Sequence, residues 1–208
     1  HQGVGGLFSQ ATPAPSPTPT PAPFVVFQDS LLSNDNGWYV GTNCYFRADG
    51  YHIKGDWACY AARSEYDDAT IRVDVRRVAG TPDVPYGMTF RLATDSTNKV
   101  SGYIFAIDGL GYWIFYKSVD GASSLIVDYT TSSAIRTTSG AVNTLRVRSV
   151  GSQFVFSING IQVGIANDTA FSRGSTGLAV IGNLRRSSRI SPLRFEALVV
   201  VPSADGGQ

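Results

Sequence analysis

The alternation of apolar and polar residues is the strongest pattern in this chain. Residues 70–78, TIRVDVRRV, place aliphatic residues at every second position, with Arg72, Asp74 and Arg76 between them. A period of two predicts a strand with one buried face. Similar short stretches recur to residue 201, and no helical periodicity exceeds a turn or two. About a dozen short strands in series predict an all-β sandwich or jelly roll.

Glycine-containing turns separate the predicted strands. Asp120-Gly121 falls between two apolar stretches, and Asn159-Gly160 does the same further along the chain. Asn-Gly between alternating apolar residues is the strongest short-range signal for a β-hairpin. Both dipeptides therefore predict tight turns between antiparallel strands.

The first 23 residues lack this alternation. Residues 1–10 are Gly-rich and carry a small apolar element at Val4, Leu7 and Phe8, and residues 11–23, ATPAPSPTPTPAP, alternate proline with small residues. Alternating proline favours an extended polyproline II spacer of about 3.1 Å per residue. We therefore expect an extended arm at 1–23, a β-sandwich domain at 24–202 and a short tail at 203–208.

Hydroxyl side chains in the proline-rich segment suit O-glycosylation of a secreted stalk. They are Thr12, Ser16, Thr18 and Thr20.

Composition and charge narrow the class of protein. Charged residues make up 16% of the 208 residues, and the formal net charge is +1. No strong field attracts nucleic acid, so we expect no nucleic-acid partner. No apolar run approaches the roughly 20 residues of a membrane span. The chain begins at His1 rather than Met, which a removed leader peptide or a trimmed chain explains. We expect a secreted protein that is extracellular or lies at the cell surface.

Two cysteines, Cys44 and Cys59, flank a predicted turn at Asp49-Gly50. The turn brings the chain back toward Cys44, and a disulfide closing this loop contributes about 3 kcal/mol on the chain-entropy model. Two buried thiols are the alternative, and the spacing is poor for a metal site with His52. A disulfide implies an oxidising compartment.

The order of the motifs resembles a known superfamily. Residues 28–41, QDSLLSNDNGWYVG, 102–117, GYIFAIDGLGYWIFYK, and 143–163, NTLRVRSVGSQFVFSINGIQV, follow one another as in bacterial extracellular concanavalin A-like (laminin G-like) lectin and glucanase modules. The resemblance covers nearly all of residues 24–201. It implies a jelly-roll sandwich of two antiparallel sheets. It does not imply one function, because this fold carries lectins, glucanases and structural modules.

Catalytic chemistry is absent from the sequence. Hydrolytic members of the superfamily use a Glu-x-Asp-x-x-Glu run, and this chain has two glutamates, Glu65 and Glu196, far apart. His52 has no partnered serine motif and is expected to be structural. We expect a protein that is not an enzyme.

No cofactor or metal is expected, with calcium kept as an alternative. Loop carboxylates that could bind calcium are Glu65, Asp67 and Asp68, with Asp83 in a second loop. Acidic residues beside strands are more often simply solvated.

A glycan or a partner protein requires exposed aromatic rings. In GYWIFYK the alternation separates Tyr112, Ile114 and Tyr116 from the other set, and the resemblance places these three inward. The outward set, a candidate face for a glycan or partner, is then Trp113, Phe115 and Lys117. Burial of both sets is the alternative. Trp38 and Trp57 are expected in the core.

Two functions fit these features. The first is a non-catalytic subunit of a cell-surface filament, in which Val4, Leu7 and Phe8 of the arm add to the sheet edge of another copy. The second is a lectin-like adhesion module that binds a surface polysaccharide. A deletion of residues 1–10 tests the first, and Trp113→Ala tests the proposed glycan face of the second.

Overall fold

The computed structural model describes residues 29–97 and 99–182, without the side chains of residues 62–64. Within these residues the chain forms twelve strands and no helix, so the all-β prediction is confirmed. None of the described residues forms a helix that could cross a membrane. The strands are β1 (Cys44–Arg47), β2 (Gly50–Ile53), β3 (Trp57–Tyr66), β4 (Ala69–Val75), β5 (Tyr86–Thr94), β6 (Val100–Ile107), β7 (Tyr112–Val119), β8 (Ala122–Thr131), β9 (Asn143–Val150), β10 (Gln153–Ile158), β11 (Ile161–Asn167) and β12 (Gly174–Val180).

Two antiparallel sheets pack face to face. One has six strands in the order β3-β12-β5-β6-β7-β8, and the other has four in the order β11-β10-β9-β4. Every pair of neighbouring strands is antiparallel, and β1 and β2 form a separate hairpin. The face of the six-stranded sheet turned away from the four-stranded sheet is called the outer face below.

Aromatic rings fill the space between the sheets. Phe115 on β7 lies 4.6 Å from Phe156 on β10, and Tyr103 on β6 lies 4.8 Å from Phe154, measured between ring centroids. All four side chains are fully buried. Tilted ring pairs contribute about 0.5–1.5 kcal/mol each beyond the burial of area. The core therefore holds the two sheets in a fixed relation and positions the outer face.

Both predicted two-residue hairpin turns are confirmed. Asp120 and Gly121 have φ of 52° and 84°, and Asn159 and Gly160 have φ of 52° and 82°. Positive φ at both central residues is the type I′ turn, whose twist matches that of the flanking strands. Each turn therefore fixes the pairing next to it, Val119 with Ala122 and Ile158 with Ile161, and the register shifts further along both strand pairs.

The predicted disulfide is confirmed. Cys44 and Cys59 are bonded, and the bond joins the β1–β2 hairpin to β3 at the edge of the six-stranded sheet. The hairpin turn itself comes one residue earlier than predicted, because Arg47 pairs with Gly50 and leaves Ala48 and Asp49 as the loop. The domain boundaries at residues 23 and 202 lie outside the described residues and stay predictions.

A polar cluster closes one end of the sandwich. Asp168 accepts hydrogen bonds from the Tyr103 hydroxyl at 2.7 Å, the Lys117 ammonium at 2.6 Å and the Ala170 N–H at 2.8 Å. Burial of Asp168 opposes its ionisation, but these hydrogen bonds outweigh burial and hold its pKa below the ordinary value. Burial, reinforced by Asp168, raises the pKa of Tyr103 to about 12, so this hydroxyl stays protonated as a donor.

Acid is expected to weaken this cluster. Because the folded pKa of Asp168 lies below the unfolded value of about 3.9, its stabilisation is present above that pH and is lost as the pH falls through the folded pKa. Asp168→Asn should lower the free energy of unfolding by about 1–2 kcal/mol at pH 7, and the difference should shrink near pH 3. Urea titrations at the two pH values measure it. The exposed Asp128→Asn is the control, and a pH-independent deficit in Asp168→Asn would contradict the prediction.

Candidate functional site

The side chains of β7 point the opposite way from the prediction. Trp113 and Phe115 are 3% and 0% exposed and face the four-stranded sheet, where Trp113 lies 5.6 Å from the ring of Phe156. Lys117, on the same side of the strand, forms an ion pair with Asp168. The outward face predicted from Trp113, Phe115 and Lys117 is therefore wrong.

The physical reason is that both faces of β7 are buried. Ile114 and Tyr116, which were expected in the core, lie instead on the outer face and are themselves only 1% and 5% exposed. Both sets are mainly apolar, apart from Lys117, so hydrophobicity alone does not select the inward set. The outer-face cluster around them comprises Ile104, Ala106, Ile114, Tyr116, Ala179 and Ile181.

Two exposed tyrosines occupy opposite positions in a backbone pairing at the β3 end of the outer face. Trp38 bridges Ala61 of β3 in an antiparallel pair, and the Tyr39 N–H donates to the Tyr60 carbonyl at 3.2 Å. Tyr39 is therefore directly opposite Tyr60. Trp38 and Ala61 are buried in the core, so their neighbours Tyr39 and Tyr60 point outward. They are 50% and 36% exposed.

Residues with small or no side chains lie beside these two tyrosines. A Cβ added to Gly41 would come within 2.8 Å of the Tyr39 hydroxyl oxygen, and one added to Gly177 would come within 3.0 Å of the Tyr60 Cβ. Ala58 precedes Tyr60 by two positions and lies on the same face of β3. Glycine at these two positions therefore leaves room for the Tyr39 and Tyr60 side chains.

A carboxylate, Asp56, lies elsewhere on the outer face. Asp56 lies against Gly182, where an added Cβ would come within 2.5 Å of Asp56 Oδ2. Burial raises the pKa of Tyr116, and the nearby negative charge of Asp56 raises it further. The charge of Asp56 is therefore directed over the outer face. Below, the Tyr39–Tyr60 site means Tyr39 and Tyr60 together with Gly41, Ala58 and Gly177.

The site is confined to this edge of the sheet. Toward the centre of the outer face, Thr89, Ile104 and Ala106 are between 0% and 6% exposed, and Gly177 is buried. Among the described residues of this face, exposed aromatic surface therefore lies at the β3 edge, and the residues toward the centre are buried.

The sequence held a signal for part of this site. In DWACY, residues 56–60, the period of two places Asp56, Ala58 and Tyr60 on one face. Trp38 is buried as predicted, but Trp57 is 44% exposed, so its assignment to the core was wrong.

Three of the four carboxylates proposed for calcium, those of Glu65, Asp67 and Asp68, contact arginines. Arg173 contacts Glu65 at 3.3 Å and Asp67 at 3.1 Å, and Arg91 contacts Asp68 at 3.3 Å. In the part of the chain that the structure describes, no three metal-ligating side chains come together. Calcium stays an alternative that these contacts do not favour.

Of the other residues predicted from the sequence, His52 is described by the structure and several are not. His52 is 2% exposed, and its Nε2 lies 2.8 Å from Asp49 Oδ1 in the β1–β2 hairpin, in keeping with the expected structural role. Glu196 lies outside the described residues. So do the residues predicted for subunit contact and O-glycosylation, namely Val4, Leu7, Phe8, Thr12, Ser16, Thr18 and Thr20.

Comparison with known proteins gives structural but not sequence matches. No family model matches the chain, and no curated protein matches its sequence. Among solved structures, the carbohydrate-binding module CBM66 from Bacillus subtilis is 22% identical with a TM-score of 0.60, over 80% of this chain and 96% of that one.

Two further structures share the architecture. A β-glucanase from Bacillus licheniformis is 9% identical with a TM-score of 0.59, over 85% of this chain and 96% of its own. A Bacillus subtilis protein of unknown function with a galectin-like fold is 11% identical with a TM-score of 0.54, over the same shares. At these identities the likeness concerns the fold. The chain has the concanavalin A-like jelly-roll fold that its sequence predicted.

Proposed function

We propose that this chain is a non-catalytic carbohydrate-binding module that acts outside the cell and holds its glycan at the Tyr39–Tyr60 site. The observation that carries the proposal is the cross-strand pair of exposed tyrosines, Tyr39 and Tyr60, at the β3 edge of the outer face. Sugar rings place their apolar faces on exposed aromatic rings, and a few polar groups fix their orientation.

Three further observations support this function. The similar structures include one named as a carbohydrate-binding module. The disulfide between Cys44 and Cys59 suits an oxidising compartment. The sequence has no Glu-x-Asp-x-x-Glu run, and hydrolysis of glycosidic bonds ordinarily needs two carboxylates flanking the bond.

The comparisons favour carbohydrate binding over the filament role. Assembly through the arm depends on residues 1–23, which lie outside the described residues. The filament hypothesis therefore stays a prediction, and electron microscopy of the full chain with and without residues 1–10 tests it.

Loss of the Tyr60 ring is expected to weaken glycan binding. A glycan array first identifies a bound glycan, and calorimetry with that glycan then compares wild type with Tyr60→Ala. We expect an affinity loss of about tenfold or more, equivalent to about 1.4 kcal/mol, because the stacking surface is removed. Tyr60→Phe keeps the ring and should retain most of the affinity.

Trp57→Ala is the matched control for this experiment. Trp57 is an exposed aromatic residue on the same strand, but it lies an odd number of positions from Tyr60, so its side chain leaves the opposite face. It should bind like wild type. Unchanged affinity in both Tyr60→Ala and Tyr39→Ala would move the glycan site elsewhere.

A further inference from the structure

The backbone of Tyr39 is held by hydrogen bonds on both sides of its Cα. Its N–H donates to the Tyr60 carbonyl on β3 at 3.2 Å, and its carbonyl accepts from the Tyr51 hydroxyl on β2. The rotamers open to a side chain depend on φ and ψ, so fixing both backbone groups restricts where the Tyr39 ring can lie. This exposed ring is therefore carried by contacts with two different strands.

The donor of the second hydrogen bond belongs to the core. Tyr51 is fully buried, and its ring lies 5.1 Å from that of Trp38 and 4.7 Å from that of Phe46, measured between ring centroids. Burial raises the pKa of the Tyr51 hydroxyl, and the neighbouring Tyr39 raises it further, so this group keeps its proton and stays a donor. Tyr51 therefore acts on the backbone of an exposed residue but offers no surface of its own to a glycan.

The Tyr39 ring lies over Gly41. A Cβ added to Gly41 would come within 2.8 Å of the Tyr39 hydroxyl oxygen and within 3.1 Å of ring carbon Cζ. The Gly41 N–H donates to the Cys44 carbonyl at 2.7 Å, and Cys44 is bonded to Cys59, the residue before Tyr60. The segment that carries the ring is therefore attached to β3 at two points, by the Tyr39 N–H and by the disulfide.

A ring that is fixed before the ligand arrives binds more tightly than a mobile one. Immobilising a free side chain on binding lowers the affinity by about two- to tenfold, and a side chain that is already held avoids this loss. The contacts of Tyr39 with Tyr51, Tyr60 and Gly41 restrict its ring in this way.

We propose that Tyr51 is a positioning residue for the Tyr39–Tyr60 site. Its hydroxyl holds the backbone of Tyr39 so that the ring, lying over Gly41, already has the orientation in which a glycan stacks on it. The inference rests on the proposed function, because it names a residue that acts on the same site without touching the ligand.

Tyr51→Phe tests this role, because it removes the hydroxyl and keeps the ring that packs in the core. With the full chain and a glycan identified on an array, calorimetry should show about fivefold weaker affinity than wild type. Tyr103→Phe is the matched control, since it also removes a hydrogen-bonded hydroxyl from a fully buried tyrosine, in the cluster around Asp168. This control should lower the urea midpoint and bind like wild type.

A double-mutant cycle separates positioning from a general effect on stability. In a Tyr39→Ala background, Tyr51→Phe should cause no further loss of affinity, because no ring is left to position.

Gly41→Ala is a second variant that displaces the ring directly. The φ of Gly41 lies outside the left-handed region, so the added methyl group meets the end of the Tyr39 side chain rather than straining the backbone. The affinity should again fall about fivefold, with little change in the urea midpoint. This variant decides the same point if Tyr51→Phe does not fold.

The outcomes distinguish the inference from the proposed function. Wild-type affinity in Tyr51→Phe, an equal loss in Tyr103→Phe, or a further loss in the Tyr39→Ala background would each overturn the positioning role and leave carbohydrate binding in place. Absence of wild-type binding to every glycan on the array would refute the proposed function, and the inference would fall with it. A loss of affinity in Tyr51→Phe that depends on the presence of the Tyr39 ring supports both.

Discussion

Replacing Arg91 with methionine is expected to lower the free energy of unfolding by about 3–5 kcal/mol. The side chain is only 3% exposed, and Nη1 donates to the carbonyls of Gly151 at 2.8 Å and Phe171 at 2.9 Å. Nε and Nη2 donate to the Asp67 carbonyl, both at 3.3 Å. One guanidinium therefore ties together three loops, and methionine would leave their carbonyls without these donors.

The geometry explains why lysine should not replace Arg91. The planar guanidinium offers five donors in a fixed fork, whereas an ammonium is a compact charge on a flexible stem. The guanidinium also lies 5.2 Å from the centre of the Phe154 ring, over its face. Arg91→Lys is therefore expected to lose most of the stability that Arg91→Met loses.

Urea denaturation monitored by circular dichroism measures both variants. Arg148→Met is the matched control, because it removes the same side chain from an exposed position of β9, where substitutions usually change stability by less than about 0.5 kcal/mol. Equal unfolding midpoints for Arg91→Met and Arg148→Met would show that the loop carbonyls do not depend on Arg91.

Arg91 also marks a limit of prediction from sequence. Its hydrogen-bond partners are 24, 60 and 80 residues away in the chain. The residue sits where the β5–β6 pairing shifts register, and its φ is +50°. The local sequence RLA contains no residue that predicts a bulge. From sequence alone, Arg91 therefore resembles any charged residue on an exposed face of a strand.

Structural features that depend on residues close together in the chain, such as hairpin turns and strand alternation, were predicted correctly. Asn159-Gly160 and Asp120-Gly121 determine their turns through the backbone freedom of two residues each. The alternation in β4 buries Val73 and Val75 as expected. These features follow from local conformational preference and from one buried face, which are both visible in a short window of sequence.

Only part of the candidate site could be predicted from the local sequence. Ala58 and Tyr60 share a face of β3, which the sequence shows. Tyr39 joins them only because the segment after Trp38 pairs with β3 at Ala61. That pairing joins residues more than twenty positions apart, and its register depends on how the buried Trp38 fits the core.

Trp113→Ala is expected to destabilise the protein by about 3–5 kcal/mol, as large-to-small changes of buried aromatic residues do. The ring lies 6.0 Å from Phe105 and 5.6 Å from Phe156. Gly164 of β11 packs against it so closely that an added Cβ would come within 2.6 Å of the indole. The surrounding strands are hydrogen-bonded on both sides of β7 and can collapse only partly into the space left by the ring.

Measurement of stability and binding in the same variant separates a core residue from a ligand contact. Trp113→Ala should show a lower urea midpoint and, while folded, unchanged glycan affinity. Trp57→Ala removes the same side chain from a position that is 44% exposed and should change stability by less than about 0.5 kcal/mol. A stable Trp113→Ala variant that no longer binds glycan would return the site to β7. We expect lower stability with unchanged glycan affinity, because a side chain enclosed between two sheets contributes packing energy and offers no surface to a sugar.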